Sequence, residues 1–204
     1  MSEFEYKFNT IKVDVGGDGI AWVKFNRPEN RNAITPELSK EMNIALDQLA
    51  EDDEAGVIIF TGEGTAFCAG MDLKVFLKNV DRPSKEWHPV GSRSTDFWRK
   101  IRQHPKITIA AINGFAYGGG LMPVFYCDLA VASDKALMGL SEINFGGPPG
   151  GGATRACVES VGRKWTSWIV LTGQSITGEM AANIGLVNFC VPHDKLKDEV
   201  ERIA

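Results

Sequence analysis

Residues 107–123 read ITIAAINGFAYGGGLMP, a continuous apolar run followed by a glycine-rich turn. The run at 107–112 is too short for a helix and is typical of a strand that is buried on both faces. The glycines at 118–120 let the backbone approach its neighbours closely, and a short helix is expected to begin there. The same order recurs at 57–76, where the apolar run 57–60 leads into TGEGTAFCAGMDLKVF. This repetition of strand, turn and helix predicts an α/β fold with parallel strands covered by helices.

The N-terminal residues predict a hairpin followed by an amphipathic helix. Apolar and polar residues alternate at 11–15 and 20–25, and glycines between them favour a turn. Thr35 followed by Pro36 is typical of a helix start, because Thr caps the first turn and Pro fits its first position. The apolar face of this helix comprises Leu38, Met42, Ala45, Leu46 and Leu49.

The C-terminal third predicts further strands and helices. The expected elements are a strand at 129–132, helices at 153–161, 163–171 and 177–185, a strand at 187–191, and a last helix capped by Asp194. Between the two glycine-rich regions, the polar stretch 79–93 contains two prolines and predicts a loop beside the residues that would carry the chemistry.

Composition and charge place the chain among globular proteins. Its 204 residues are 44% hydrophobic and 24% charged, which suits one domain with one substantial core. The formal net charge of -4 argues against a nucleic-acid partner held by a general basic field. No stretch approaches the ~20 apolar residues of a membrane span, and the start MSEFEYKFNT lacks an apolar secretory region. We therefore expect a cytoplasmic protein, with neither nucleic acid nor a membrane as its partner.

The four cysteines indicate neither a zinc site nor a disulfide framework. Cys68, Cys127, Cys157 and Cys190 are scattered, without a CxxC pair or a His at ligand spacing. Their expected role is that of small buried apolar residues.

Two glycine-rich loops bring backbone N–H groups to predicted helix starts. Residues 69–72 follow one predicted strand, and residues 118–120 follow another. Because the first N–H groups of a helix lack partners, each loop could place one donor on a single anionic oxygen. The alternative is that these glycines serve only tight turns and close packing. A dinucleotide or phosphate loop fits less well, because no GxGxxG opens a helix after a strand and GGGL lacks the P-loop Lys and Ser/Thr.

Glu142 is the candidate proton-transfer residue. It lies between Leu140 and Ile143 and precedes a segment rich in glycine and proline. Partial burial among such residues would raise the pKa of its carboxyl group and suit it to acid–base work near neutral pH. The alternative is a carboxylate that only caps a turn.

Seven short motifs along the chain carry a resemblance to a known family. They are NRPENRNA (26–33), AGMDL (69–73), NGFAYGGG (113–120), CDLAVAS (127–133), LSEINFG (140–146), TG (172–173) and AANIGLVN (181–188). In this order the chain resembles the crotonase, or enoyl-CoA hydratase/isomerase, superfamily over essentially its whole length. Within that superfamily, AGMDLK and LSEINFG with GGPPG are most similar to hydroxycinnamoyl-CoA (feruloyl-CoA) hydratase-lyases.

The resemblance implies the architecture and the assembly. It implies a crotonase-type spiral of β-β-α turns with helices around the sheets. The core domain would comprise 1–193, and 194–204 would start a C-terminal helical segment that the family pattern continues further. The family also implies a homo-oligomer, a trimer or a hexamer of paired trimers.

The resemblance also implies the site and its ligand. The substrate would be an acyl-CoA thioester whose carbonyl oxygen accepts hydrogen bonds from the N–H groups of Met71 and Gly119, with Glu142 as general acid and base. Substrate and CoA contacts are implied for Arg31, Ala69, Gly70, Leu73, Lys74, Phe76, Gly118, Gly120 and Met122. Arg31 and Lys74 would pair with phosphate groups. Coenzyme A would enter as part of the substrate, with no permanently bound cofactor and no metal.

Two positions depart from the family pattern. Met122 stands where ordinary hydratases have a first glutamate and hydratase-lyases have a serine, and Phe76 stands where the lyases have a tyrosine. Three activities therefore stay open: a hydratase or hydratase-lyase on an aryl-substituted enoyl-CoA giving aldehyde and acetyl-CoA, a single-glutamate Δ3,Δ2-enoyl-CoA isomerase, and a non-catalytic CoA-ester-binding subunit. The aromatic side chains that could line an acyl pocket are Phe115, Tyr117, Trp87 and Trp98.

Overall fold

A computed structural model of the chain describes residues 4–77 and 96–204, and the side chains of Phe76, Leu77 and Asp96 are not described. The predicted loop at 79–93, with Trp87 inside it, lies outside the described residues. The prediction for the Phe76 side chain lies outside them as well.

The described strands form two sheets. The first has six strands in the order β1-β2-β3-β5-β7-β10, and the second has four in the order β4-β6-β8-β9. Their bounds are β1 Ile11–Val15, β2 Ile20–Phe25, β3 Val57–Gly62, β4 Ala66–Cys68, β5 Ile107–Ile112, β6 Phe115–Tyr117, β7 Leu129–Ser133, β8 Leu137–Gly139, β9 Ile176–Thr177 and β10 Phe189–Val191. The predicted hairpin and the predicted strands at 57–60, 107–112 and 129–132 are confirmed.

The two sheets are linked by a repeated β-β unit. Strands β3, β5 and β7 are parallel neighbours in the first sheet, and each is followed directly by a strand of the second sheet. Those second strands, β4, β6 and β8, are also parallel to one another. Parallel neighbours point their carboxyl ends to the same edge, so the loops after β4, β6 and β8 leave the sheet side by side.

The helices cover the sheets. Their bounds are α1 Pro36–Glu51, α2 Leu73–Leu77, α3 Asp96–Arg102, α4 Met122–Tyr126, α5 Ala153–Thr172, α6 Gly178–Asn183 and α7 Leu196–Ile203. The Thr35 side chain caps α1 by accepting from the Leu38 N–H, as predicted. Helix α5 is interrupted at Gly162, whose φ of 72° is not helical, so the expected pair of helices at 153–161 and 163–171 is confirmed.

Alternating residues of the central strands belong to two different hydrophobic clusters. Ile58 and Phe60 lie in the larger cluster with the apolar face of α1, whereas Ile59 lies in a smaller cluster with Leu196 and Val200 of α7. The first sheet is therefore buried on both faces, which is why its central strands are continuous apolar runs.

Two predictions near the C-terminus are wrong in detail. The strand expected at 187–191 begins only at Phe189, because the Val187 N–H donates to the Ala181 carbonyl of α6 and not to β7. Asp194 does not cap the last helix. It lies within a 3-10 turn, His193–Lys195, and α7 begins after Lys195 without a side-chain cap.

Candidate active site

The loops after β4 and β6 meet through glycines. A Cβ atom on Gly70 would lie 3.3 Å from the Gly119 nitrogen and 2.5 Å from the Tyr117 carbonyl oxygen. A Cβ atom on Gly120 would overlap the Cys68 carbonyl group and lie 2.9 Å from the Gly70 nitrogen. Only residues without a side chain permit this approach, so the two loops that the sequence singled out form one site.

The backbone of Met71 is oriented by pairing with Ile34. The Ile34 N–H donates to the Gly70 carbonyl at 2.8 Å, and the Asp72 N–H donates to the Ile34 carbonyl at 2.9 Å. These bonds form an isolated parallel bridge between Ile34 and Met71. Because the neighbours of Met71 use the groups that face Ile34, the Met71 N–H points to the opposite side.

Gly119 supplies a second N–H of the same kind. It is the second residue of a 3-10 turn, Gly118–Leu121, and an N–H in that position has no partner within the turn. A Cβ atom on Gly119 would lie 3.6 Å from the Met71 Cγ, so the two residues are adjacent. The arrangement fits two backbone donors aimed at one oxygen.

Glu142 lies against Gly118, the residue before the second donor. It begins a 3-10 turn, Glu142–Phe145, shortly after β8, and its Oε1 lies 2.9 Å from the position of a Cβ atom on Gly118. Its Oε2 is buried and has no hydrogen-bond partner among the described residues. Burial raises the pKa of the Glu142 carboxyl above its ordinary value, with a backbone hydrogen bond opposing the shift. The site therefore holds a carboxylate whose pKa is displaced toward neutrality.

Neither Met122 nor Cys68 offers a second proton-transfer group. Met122 is the first residue of α4 and is 1% exposed, with an apolar side chain. Complete burial raises the pKa of the Cys68 thiol to about 12, which keeps it protonated, and its Sγ donates to the Asn32 carbonyl at 3.1 Å.

The described aromatic candidates occupy different positions. Trp98 is 4% exposed, and the Cζ2 and Cη2 atoms of its ring lie 3.3 Å from the position of a Cβ atom on Gly119. Its Nε1 is buried without a partner among the described residues. The Tyr117 hydroxyl lies 2.7 Å from the Ser175 Oγ, and the Phe115 ring stacks on the Tyr117 ring. Trp98 is thus the aromatic residue placed against a proposed donor.

The residues predicted to contact CoA surround the first loop. The Arg31 carbonyl accepts from the Ala69 N–H at 2.9 Å, so Arg31 lies next to that loop with its side chain exposed. Leu73 is 46% exposed at the start of α2, and Lys74 beside it is exposed as well. The structure brings these residues to one region, and their contact with CoA stays a prediction.

Sequence reasoning missed the polar residues that hold the first loop. Arg27 forms an ion pair with Asp72 in which both side chains are mostly buried. Asn32 is completely buried and donates to the carbonyl groups of Glu63 and Ala66. The available signal was the motif NRPENRNA (26–33), which contains both residues but served only to indicate the family resemblance.

Neither a metal cluster nor a membrane span is present in the parts of the chain that the structure describes. Within 4–77 and 96–204, no three His, Cys, Asp or Glu residues are grouped in a way that could hold a metal ion. Among the helices of those ranges, none combines the length and the hydrophobicity that crossing a bilayer requires.

Comparison with known proteins points to one family. A family model described as enoyl-CoA hydratase/isomerase matches residues 16–204. The chain is 40% identical to the hydroxycinnamoyl-CoA hydratase-lyase of Pseudomonas fluorescens, over 100% of this chain and 74% of that protein. It is 35% identical to the 2,3-dehydroadipyl-CoA hydratase of Escherichia coli (strain K12), over 83% of this chain and 64% of that protein.

The fold is similar to those of solved structures. The enoyl-CoA hydratase from Bacillus anthracis superposes with a TM-score of 0.89 at 31% sequence identity, covering 96% of this chain and 75% of that one. The expected crotonase-type α/β fold is therefore confirmed.

Proposed function

Since the chain belongs to the enoyl-CoA hydratase/isomerase family, we propose that it catalyses a reaction of an enoyl-CoA thioester through an enolate intermediate. The observation that supports this most directly is the buried Oε2 of Glu142, which has no hydrogen-bond partner among the described residues, on a side chain against Gly118 and so next to the proposed donor Gly119. A proton acceptor and an anion-binding pair in one site are the two groups that enolate chemistry requires.

The two N–H groups would stabilise the developing negative charge. Addition at Cβ, or removal of a proton at Cα, moves an electron pair onto the thioester oxygen. That oxygen would accept from the N–H groups of Met71 and Gly119, which are already oriented before the substrate binds. Losing one such donor typically slows the chemical step on the order of 10²-fold or more.

Glu142 would move each proton. As a base it takes a proton from water while the water oxygen attacks Cβ, and it then delivers that proton to Cα, giving the β-hydroxyacyl-CoA. In the cleavage step it removes the β-hydroxyl proton as the Cα–Cβ bond breaks. The aldehyde leaves, and the enolate takes the proton at Cα to become acetyl-CoA.

The preferred reaction is hydration of an aryl-substituted enoyl-CoA, such as feruloyl-CoA or 4-coumaroyl-CoA, followed by this cleavage. The 40% identity to a hydroxycinnamoyl-CoA hydratase-lyase supports the substrate class. The buried, apolar Met122 supports a mechanism with one carboxylate, because its side chain cannot share the proton transfers with Glu142.

The second candidate is a Δ3,Δ2-enoyl-CoA isomerase, which the single carboxylate favours equally. There Glu142 would remove a proton from Cα and return it at Cγ, with the same two donors stabilising the enolate. A third candidate is a CoA-ester-binding subunit without chemistry. In both alternatives the thioester would bind at the same site. Glu142 would transfer a proton in the isomerase and would transfer none in the binding subunit.

The partners of this activity follow from the same family. CoA would bind as part of the substrate, with Arg31 and Lys74 as phosphate partners and Ala69, Gly70 and Leu73 along its path. We propose no permanently bound cofactor, a homo-oligomer of three or six chains, and a cytoplasmic location.

The test is product identification by mass spectrometry. Incubation with feruloyl-CoA should yield an aromatic aldehyde and acetyl-CoA, and Glu142→Gln should lower kcat by roughly 10²–10⁴-fold while the affinity for CoA stays nearly constant. Conversion of a 3-enoyl-CoA to its 2-enoyl isomer, without aldehyde, would replace the lyase by the isomerase. Turnover that Glu142→Gln leaves unchanged would remove this residue from the mechanism.

A further inference from the structure

We call residues 27–34 the clamp loop. They contact residues 68–72, the donor loop that carries Met71, at successive positions. The Cys68 Sγ donates to the Asn32 carbonyl at 3.1 Å, and the Ala69 N–H donates to the Arg31 carbonyl at 2.9 Å. At the next positions along the two segments, Ile34 pairs with Gly70 and Asp72, the residues on either side of Met71. Every residue from 68 to 72 is therefore either bonded to the clamp loop or, like Met71, held between bonded neighbours.

Asn32 fixes the shape of the clamp loop. Its backbone is in the left-handed region, with φ of 57°, and its side chain is completely buried. The Oδ1 accepts from the Arg27 N–H at 2.8 Å, and the Nδ2 donates to the carbonyl groups of Glu63 at 3.0 Å and Ala66 at 2.7 Å. One side chain thus ties both ends of the clamp loop to the chain entering β4.

Arg27 connects the clamp loop to the far end of the donor loop. Its Nη1 donates to the Ala33 carbonyl at 2.5 Å, and both of its terminal nitrogens lie 3.4 Å from the Asp72 Oδ2. The other oxygen, Oδ1, accepts from the N–H groups of Lys74 and Val75 at the start of α2. Asp72 is therefore held from two directions, and it directly follows Met71, the residue whose N–H is the proposed donor.

We propose that Arg27 and Asn32 are positioning residues that hold the Met71 N–H in its catalytic orientation without touching the substrate. This inference rests on the proposed function, because it takes that N–H as a donor to the thioester oxygen. A donor that is fixed before the reaction stabilises the charge that develops in the transition state more than the neutral ground state. Displacing it should therefore lower kcat and leave KM nearly constant.

The experiment compares Arg27→Met with Lys100→Met, a matched control. Lys100 also binds a carboxylate, that of Asp47 at 2.6 Å, and a backbone carbonyl, that of Asn43 at 3.3 Å, but it lies on α3 away from the clamp loop. With feruloyl-CoA as substrate, Arg27→Met should lose on the order of 10- to 100-fold in kcat with KM within about threefold. Lys100→Met should retain the parent kcat.

A second readout follows the carbonyl group directly. Isotope-edited infrared spectra of carbonyl-13C 3-phenylpropionyl-CoA, which has no double bond to hydrate, should show a lowered C=O frequency when it is bound to the parent protein. Arg27→Met and Asn32→Asp should lose a large part of that shift while still binding the thioester. If Arg27→Met does not fold, Arg27→Lys takes its place, since it keeps the charge and loses the planar fork.

The outcomes separate the inference from the function on which it rests. An unchanged kcat and an unchanged infrared shift in folded Arg27 and Asn32 variants overturn the inference and leave the enzyme intact. A raised KM with constant kcat also overturns it, because the residues would then act only in binding. Absence of both turnover and shift in the parent protein overturns the proposed function, and the inference with it.

Discussion

The two loops that carry the proposed donors are held in place by different means. The loop at 68–72 is fixed by polar contacts from another segment, including the ion pair of Arg27 with Asp72. The turn at 118–121 is fixed by close backbone packing, which only glycine permits at 120. The orientation of the Met71 N–H therefore depends on side chains from a distant part of the sequence. The orientation of the Gly119 N–H depends on the absence of a side chain at a neighbouring residue.

The largest effect that this comparison predicts is a loss of folding stability when Gly120 is substituted. In Gly120→Ala the new methyl group would overlap the Cys68 carbonyl, which is backbone and cannot rotate away. We expect a loss of about 3 kcal/mol in the free energy of unfolding, or roughly 6–12 °C in Tm, as for other overpacked sites. Thermal unfolding by circular dichroism measures it. The control is Gly17→Ala, because a Cβ atom there meets no atom within 4 Å. Equal Tm values for the two variants would contradict the packing argument.

A smaller effect is expected at Gly118, in the pH dependence of activity. As the proposed base, Glu142 must be deprotonated, so we expect activity to be lost as the pH falls through its raised pKa. In Gly118→Ala the methyl group would lie 2.9 Å from the Glu142 Oε1 and remove further water from it, so the acid limb of kcat/KM should move to higher pH.

The clamp-loop variant supplies the contrast to that shift. Arg27→Met should lower the whole pH profile of kcat/KM without moving the midpoint of its acid limb. Within the described part of the chain, the guanidinium bonds to Asp72 and the Ala33 carbonyl and forms no ion pair with Glu142. The measurement is the pH profile of kcat/KM, recorded side by side for Gly118→Ala and Arg27→Met. A midpoint that moved equally in both would show that the two loops do not act separately.

The smallest effect is expected at Met71 itself. The proposed donor is a backbone N–H, and the bonds that orient it involve Gly70, Asp72 and Ile34. Met71→Ala should therefore lower kcat by only about threefold, through lost packing against the core. Steady-state kinetics measure this change. A loss as large as that of Arg27→Met would mean that the side chain, not the backbone, carries the effect.

Much of the fold could be predicted because its signals are local. The apolar runs at 57–60 and 107–112 predict buried strands, and Thr35 with Pro36 predicts the start of α1. The strands of the second sheet could not be predicted in the same way, since β4, β6 and β8 have three residues each and show no periodicity. The predictions near the C-terminus are wrong where the Val187 N–H bonds to the Ala181 carbonyl and where a 3-10 turn at 193–195 replaces the expected helix start.

The residues of the candidate site likewise differ in whether the sequence alone could reveal them. The glycine loops and Glu142 could be found from residue type and order, because their chemistry resides in the residues themselves. The roles of Arg27 and Asn32 could not, since their partners lie up to 45 positions away and are brought close only by the fold. Trp98 likewise meets Gly119 only through the packing of α3 against the second sheet's loops.

The buried oxygen of Glu142 has a consequence for the balance between stability and activity. A carboxyl whose pKa is raised in the folded state binds its proton more tightly there than in the unfolded chain, so ionising it above that pKa lowers the free energy of unfolding. Keeping the proposed base in the site therefore lowers the stability of the folded chain. Glu142→Gln should therefore melt at a higher temperature than the parent at neutral pH. The difference should vanish in acid, where the carboxyl is protonated in both states.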